Sequence, residues 1–114
     1  MSKQKQKGTW FETKVAQYLK DNLGVPIERR TLGGVNDKGD IAGVHVGDTE
    51  VIIECKNHGT YALKEWLAEA KREAENAGGL GVVVFHGHGV GETRMGEQYV
   101  LMNLETFTEI IKRK

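Results

Sequence analysis

Asp40, Glu54 and Lys56 are the residues whose types and spacing could do chemistry. Glu54 and Lys56 stand two apart at the end of an apolar run, residues 51–55, that reads as a buried strand. Side chains two apart on a strand share a face, roughly 7 Å apart along it. Glu54 and Lys56 therefore point one way, and Cys55 points the other way with Val51 and Ile53. A carboxylate and an ammonium at the end of a buried strand are costly unless paired or metal-bound. Asp40 opens the neighbouring run, residues 41–46, and the polar turn Gly47-Asp48-Thr49 joins the two runs in a hairpin pattern. The hairpin can lay Asp40 across from the Glu54 end. Two acidic oxygens and a backbone carbonyl, that of Cys55, then suit a hard divalent cation such as Mg²⁺. A lysine beside the ion can orient or deprotonate a bound water, and the reaction that uses this set is metal-assisted phosphodiester hydrolysis. Each feature also has an ordinary use. Glu and Lys at i, i+2 often line a solvated strand face, and an aspartate after a glycine is often a turn residue. The joint pattern is what points to the chemistry.

The flanking elements must position these residues. Residues 9–23 read as an amphipathic helix, with Phe11, Val15, Leu19 and Leu23 on one face and Gly24 and Pro26 as the stop. Thr9-x-x-Glu12 has the form of a capping box, in which the Glu12 carboxylate reaches back to the Thr9 amide. Residues 27–32 read as the first strand, with Arg29 and Arg30 on opposite faces. Residues 33–39 form a glycine-rich polar loop, and Asn36-Asp37-Lys38 within it fits plain turn chemistry. If the site is real, Lys38 lies where a phosphate backbone would approach. Thr60 can cap a second helix over residues 61–76, whose face is lined by Leu63, Leu67, Ala70, Ala74 and Ala77, with Trp66 at its flank. Glu65, Glu69, Glu73 and Glu75 among Lys64, Lys71 and Arg72 suggest a solvated face with i, i+4 pairs. Residues 80–85 read as a buried strand, 86–96 as a glycine-rich loop carrying Arg94, 98–103 as a last strand, and 104–112 as a last helix with Phe107, Ile110 and Ile111 inward.

The chain has 114 residues, enough for one core, and shows neither repeat nor linker. Its 16 basic and 16 acidic residues balance, so binding to nucleic acid needs a local basic face. A single cysteine excludes an internal disulfide framework and fits a reducing compartment. No apolar run approaches the roughly 18 residues of a membrane span, and the first residues lack the apolar stretch of a signal peptide. A cytoplasmic protein with no membrane partner is expected. Residues 1–7 carry Lys3, Lys5 and Lys7 and read as a flexible basic tail, either solubilising or contacting phosphate.

The pattern Gly39-Asp40-Ile41, hairpin, Ile53-Glu54-Cys55-Lys56 resembles the PD-(D/E)XK nuclease superfamily, closest to the archaeal-type Holliday junction resolvases and their phage relatives. Glu12 in the first helix, Gly33-Gly34 in the loop, and the order helix, three strands, helix, strand match as well, so the resemblance covers nearly the whole chain. Gly39 stands where the superfamily's name has proline, and no serine stands between Leu32 and Asp40, where such resolvases often carry one. The resemblance implies an α/β, restriction-endonuclease-like fold with a mixed central sheet flanked by helices, forming one nuclease domain over residues 8–114. It implies an Mg²⁺-dependent endodeoxyribonuclease, with Mn²⁺ as a substitute. Asp40, Glu54 and the Cys55 carbonyl are the expected metal ligands. Lys56 is expected to position the attacking water and stabilise charge on phosphorus, and Glu12 is either a supporting acid or only a cap. Arg30, Lys38, Arg94, Lys3, Lys5 and Lys7 are the candidate DNA contacts. The expected substrate is branched DNA in recombination or repair, in a prokaryotic cell or a phage-infected host. The expected active species is a homodimer using residues 98–103 and apolar residues left outside the core, Trp10 and Trp66 among them. A nicking or single-strand nuclease, or a non-cleaving DNA-binding module on the same fold, stays open.

Overall fold

The protein is described here by a computed structural model covering residues 2–30 and 39–114. Lys38 and the Gly33-Gly34 pair lie outside the described residues. Helix α1 (Lys3–Leu23) leads to β1 (Glu28–Arg29), β2 (Ile41–Ala42), β3 (His45–Val46) and β4 (Thr49–Lys56). Helix α2 (Leu63–Ala77), β5 (Leu80–Phe85), a 3₁₀ turn at Glu92–Glu97, β6 (Tyr99–Leu101) and α3 (Leu104–Arg113) follow. The sheet order is β1-β2-β4-β5-β6, with β3 also on β4. Among the described residues only β4 and β5 pair in parallel, because α2 carries the chain back between them. The result is the expected α/β fold with a mixed sheet and helices on both faces.

Strand parity divides the core. Val51, Ile53 and Cys55 of β4, with Val82 and Val84 of β5, pack under Phe11, Val15 and Ala16 of α1. On the other face Val83 and Phe85 meet Trp66 and Ala70 of α2. The hairpin forms, but its register shifts. Ile41 is opposite Ile53 whereas His45 is opposite Glu50, so four steps on one strand match three on the other. That is a β-bulge at Gly43-Val44, and it separates β2 from β3.

Four expectations are corrected. First, α1 begins six residues before Thr9: Ser2 is the cap and accepts from the Lys5 N–H at 3.1 Å, so residues 3–7 are helical rather than a flexible tail. Thr9 is therefore mid-helix, its carbonyl accepts from the Thr13 hydroxyl, and no capping box with Glu12 forms. Second, α2 starts at Leu63 without a side-chain cap, so Thr60 does not cap it. Third, Trp66 is only 5% exposed and belongs to the core, which removes it from any subunit interface. Fourth, Phe107 and Ile111 are exposed, and on α3 only Ile110 packs against the core under α1.

Candidate active site at the end of β4

Glu54 and Lys56 lie on the α2 face of β4, as strand parity requires, with Lys56 Nζ 3.6 Å from Glu54 Oε1. Lys56 Nζ also meets Glu69 Oε1 of α2 at 2.6 Å. One turn further along α2, Glu73 is fully buried and faces Glu54. One carboxylate oxygen from each of Glu54, Glu69 and Glu73 lies within 4.8 Å of the others. Close packing makes this possible. A Cβ at Gly81 would stand 2.5 Å from the Ala70 carbonyl oxygen, so α2 approaches the sheet as only a glycine there allows.

Asp40 reaches the site from β2. The Ile41–Ile53 register places it across from Glu54. Its N–H donates to the Ile53 carbonyl at 2.7 Å, and its Oδ2 accepts the Cys55 N–H at 2.7 Å. By the alternation of the strand, the Cys55 carbonyl points to this same edge as its N–H. Gly39, in place of the superfamily's proline, has a physical reason: its φ is +89°, which a proline ring cannot adopt, and a Cβ would stand 2.7 Å from Ile52. Glycine thus brings Asp40 against β4.

The remaining candidates divide. Glu12 is half-buried and its Oε1 is 3.1 Å from Arg29, so α1 presents it as the partner of β1 rather than as a cap. Its charge still reaches the Cys55 thiol, which burial, then Asp40, Glu12 and Glu54, push well above the ordinary thiol range. Arg30 pairs with Glu50 at 3.0 Å. Arg94 bonds the Gly89 carbonyl at 2.8 Å and Glu97 at 3.4 Å, within its own loop. Lys7 adjoins the site, because its carbonyl accepts the Asn57 amide at 3.1 Å. His88 stacks on Tyr61, and His86 packs against Phe11.

The charges do not balance within the protein. Three carboxylates face one ammonium on the α2 side. Burial, then the closeness and charge of the buried Glu73 carboxyl and the charge of Glu69, push Glu54 up to about 10, against the pull of Lys56. Burial works against the Lys56 ammonium, but its bond to Glu69 and the charges of Glu54, Glu69 and Asp40 hold its pKa above the ordinary lysine value. Glu54 Oε2 is buried with no hydrogen-bond partner. A hard dication fits this donor set. The ligands are all oxygen, the orphaned oxygen needs a partner, and two positive charges offset the acidic excess. The acidic group that the fold brings within 4.8 Å is Glu54, Glu69 and Glu73; Asp40 approaches from the β2 edge and is not part of that group.

Glu69 and Glu73 were not singled out as site residues from sequence, where their charged neighbours suggested a solvated face. The available signal was phase: Glu73 falls three residues after Ala70 and beside Ala74, on the stripe that packs inward.

A mixed sheet flanked by helices, with an aspartate at the start of β2 and Glu-x-Lys ending β4, defines a restriction-endonuclease-like fold of the PD-(D/E)XK superfamily. A family model described as "Phage putative PDDEXK endonuclease" matches residues 3–114, and the chain belongs to that family. No curated protein matches the sequence. Among the described residues, no helix is long and apolar enough to cross a membrane.

Proposed function

We propose that the protein is an Mg²⁺-dependent endodeoxyribonuclease that hydrolyses phosphodiester bonds in branched DNA, as a junction resolvase does. The observation that carries this reading is the buried Glu54, with one oxygen unpartnered, beside Lys56 at the end of β4. Asp40, Glu54 and the Cys55 carbonyl would hold the ion, with Glu69 and Glu73 adding carboxylates from α2. The ion, when bound, supplies Lewis-acid activation of phosphate and water. Lys56 stays charged between Glu54 and Glu69, and from there it orients the attacking water and donates to the phosphoryl oxygens as negative charge develops. Asp40 ties the β2 edge to the Cys55 amide and keeps that edge in register. Glu12 acts through Arg29, holding α1 against β1. The lysines of α1 supply phosphate contacts, with Arg30, Lys38 and Arg94 as further candidates.

The active species in this reading is a twofold dimer. A four-way junction presents two equivalent strands, and a dimer supplies two sites related by the same symmetry. The exposed surface for it is the terminal strand β6, with Tyr99 and Val100, and the outer stripe Leu104, Phe107 and Ile111 of α3. A cleavage assay on four-way, flapped, duplex and single-stranded DNA with Mg²⁺ tests the proposal. Paired nicks in the four-way junction are expected. Cleavage of only flapped or single-stranded DNA would assign the protein to the nicking or single-strand nucleases. Binding without cleavage of any substrate would leave a non-cleaving module.

A further inference from the structure

We propose that Trp10 is a stacking platform for an unpaired nucleobase at the end of the sheet that carries Lys56. The proposal rests on the nuclease reading above and adds a substrate feature to it. Lys3, Lys7 and Trp10 recur at spacings of four and three on α1, so they form one stripe of the helix. That stripe lies at the end of the sheet where Lys56 sits. Gln4 donates to the Asn57 carbonyl at 3.3 Å, and Asn57 donates to the Lys7 carbonyl at 3.1 Å, directly after Lys56 in the chain. The Trp10 ring lies 6.1 Å from that of His86, and the His86 N–H donates to the Lys56 carbonyl at 2.9 Å. His86 therefore links the indole, on the α1 face, to the backbone of Lys56, whose side chain points to the α2 face.

The indole is 38% exposed, whereas Trp66 is 5% exposed. A lone exposed apolar residue needs no explanation. Here, however, the indole has ring neighbours, Phe11 and His86, at 6.4 Å and 6.1 Å between centroids. The charge around it selects the occupant. Residues 2–11 hold Lys3, Lys5 and Lys7 and no acid. The charge of Lys7 is felt at both His58 and His86. A cationic helix end suits a phosphate backbone, whereas a second copy of the chain would set lysines against lysines across an isologous contact. An aromatic face interleaved with lysines takes a nucleobase, and only an unpaired base has a free face to offer. Inside a duplex the base faces are hidden by their neighbours, so the platform favours a flap, a junction centre or a single strand.

Binding is measured without turnover, in EDTA, with the full chain and three DNAs of equal length: single-stranded thymidine oligonucleotide, a flapped duplex and a blunt duplex. Wild-type indole emission should be quenched by the first two and not by the third, which needs no variant. Trp10→Leu should lose on the order of tenfold or more in affinity for single-stranded and flapped DNA. Its affinity for blunt duplex should stay within about twofold, and Trp10→Phe should recover most of the loss. Equal loss on all three DNAs, or no quenching and no loss, would overturn the platform. Cleavage with Mg²⁺ separates the two claims. A wild-type enzyme that cleaves DNA but shows no Trp10 effect sinks the platform alone, and a protein that binds none of the three DNAs sinks both.

Discussion

Glu54 on β4 and Glu73 on α2 face one another across the sheet–helix interface, both buried, with one carboxylate oxygen of each within 4.8 Å of the other. Two buried carboxyl groups at this range do not both ionise unless a cation joins them. Burial and the charge of Glu73 push the Glu54 carboxyl up to about 10, so in the metal-free protein Glu54 holds its proton at neutral pH and a dication has to displace it.

Stability and metal binding should then depend on pH in opposite senses. The folded pKa of Glu54 is raised from 4.5 to about 10, so the stability that its proton contributes is fully present below about pH 4.5 and is lost as pH rises toward 10. In EDTA the protein should lose up to about 1.4 kcal/mol of stability per pH unit across neutral pH, a fall of several degrees in melting temperature. Glu54→Gln keeps the neutral form and should flatten that dependence. Mg²⁺ or Mn²⁺ affinity should rise with pH as proton competition eases, with about one proton released per ion. Calorimetry in buffers of different ionisation enthalpy measures the release, and pH-independent affinity would remove Glu54 from the metal site.

Lys56 should act as a charged donor. Lys56→Ala should lower the single-turnover rate by about a hundredfold or more with little change in DNA affinity. Lys56→Arg should not rescue it, because the 2.6 Å contact with Glu69 sits in a half-buried slot that a planar guanidinium does not fit. Full activity in the arginine variant would reduce Lys56 to a generic positive charge.

Binding should weaken steeply with salt although the net charge is zero. Each true phosphate contact removed among Lys3, Lys5 and Lys7 by Lys→Gln should shallow the log–log slope by about one unit. An unchanged slope in the triple variant would leave the start of α1 without contact to DNA.

Light scattering and plasmid cleavage together test the dimer. A cruciform plasmid should become linear through two symmetric nicks, and Val100→Glu with Phe107→Glu on the β6–α3 surface should give monomers that accumulate nicked circle. A wild-type monomer that produces only nicked circle would move the substrate away from four-way junctions.

The shared face of Glu54 and Lys56 and the inward Cys55 were legible because strand parity is a local rule. The hairpin was legible in outline, since its turn residues are specific, but the bulge at Gly43-Val44 depends on how β1 and β4 are both met. Glu73 was misread because neighbouring charges in the chain say nothing of which turn of α2 meets β4. The start of α1 was misread for a similar reason: Gln4 and Lys7 meet Asn57 across some fifty residues of sequence, and such a contact overrides the propensity of a lysine-rich segment. Phe107 and Ile111 show the converse error, since apolar spacing predicts a stripe and not what covers it.

Single-turnover cleavage of labelled branched DNA by wild type, Asp40→Asn and Glu54→Gln, each with Mg²⁺ and with EDTA, tests the central claim most directly, with binding measured in parallel. Wild type should cleave only with Mg²⁺, and both variants should lose at least about a hundredfold in rate while binding DNA as before. Cleavage by wild type in EDTA, or undiminished cleavage by either variant with Mg²⁺, would contradict a metal-dependent site at the end of β4.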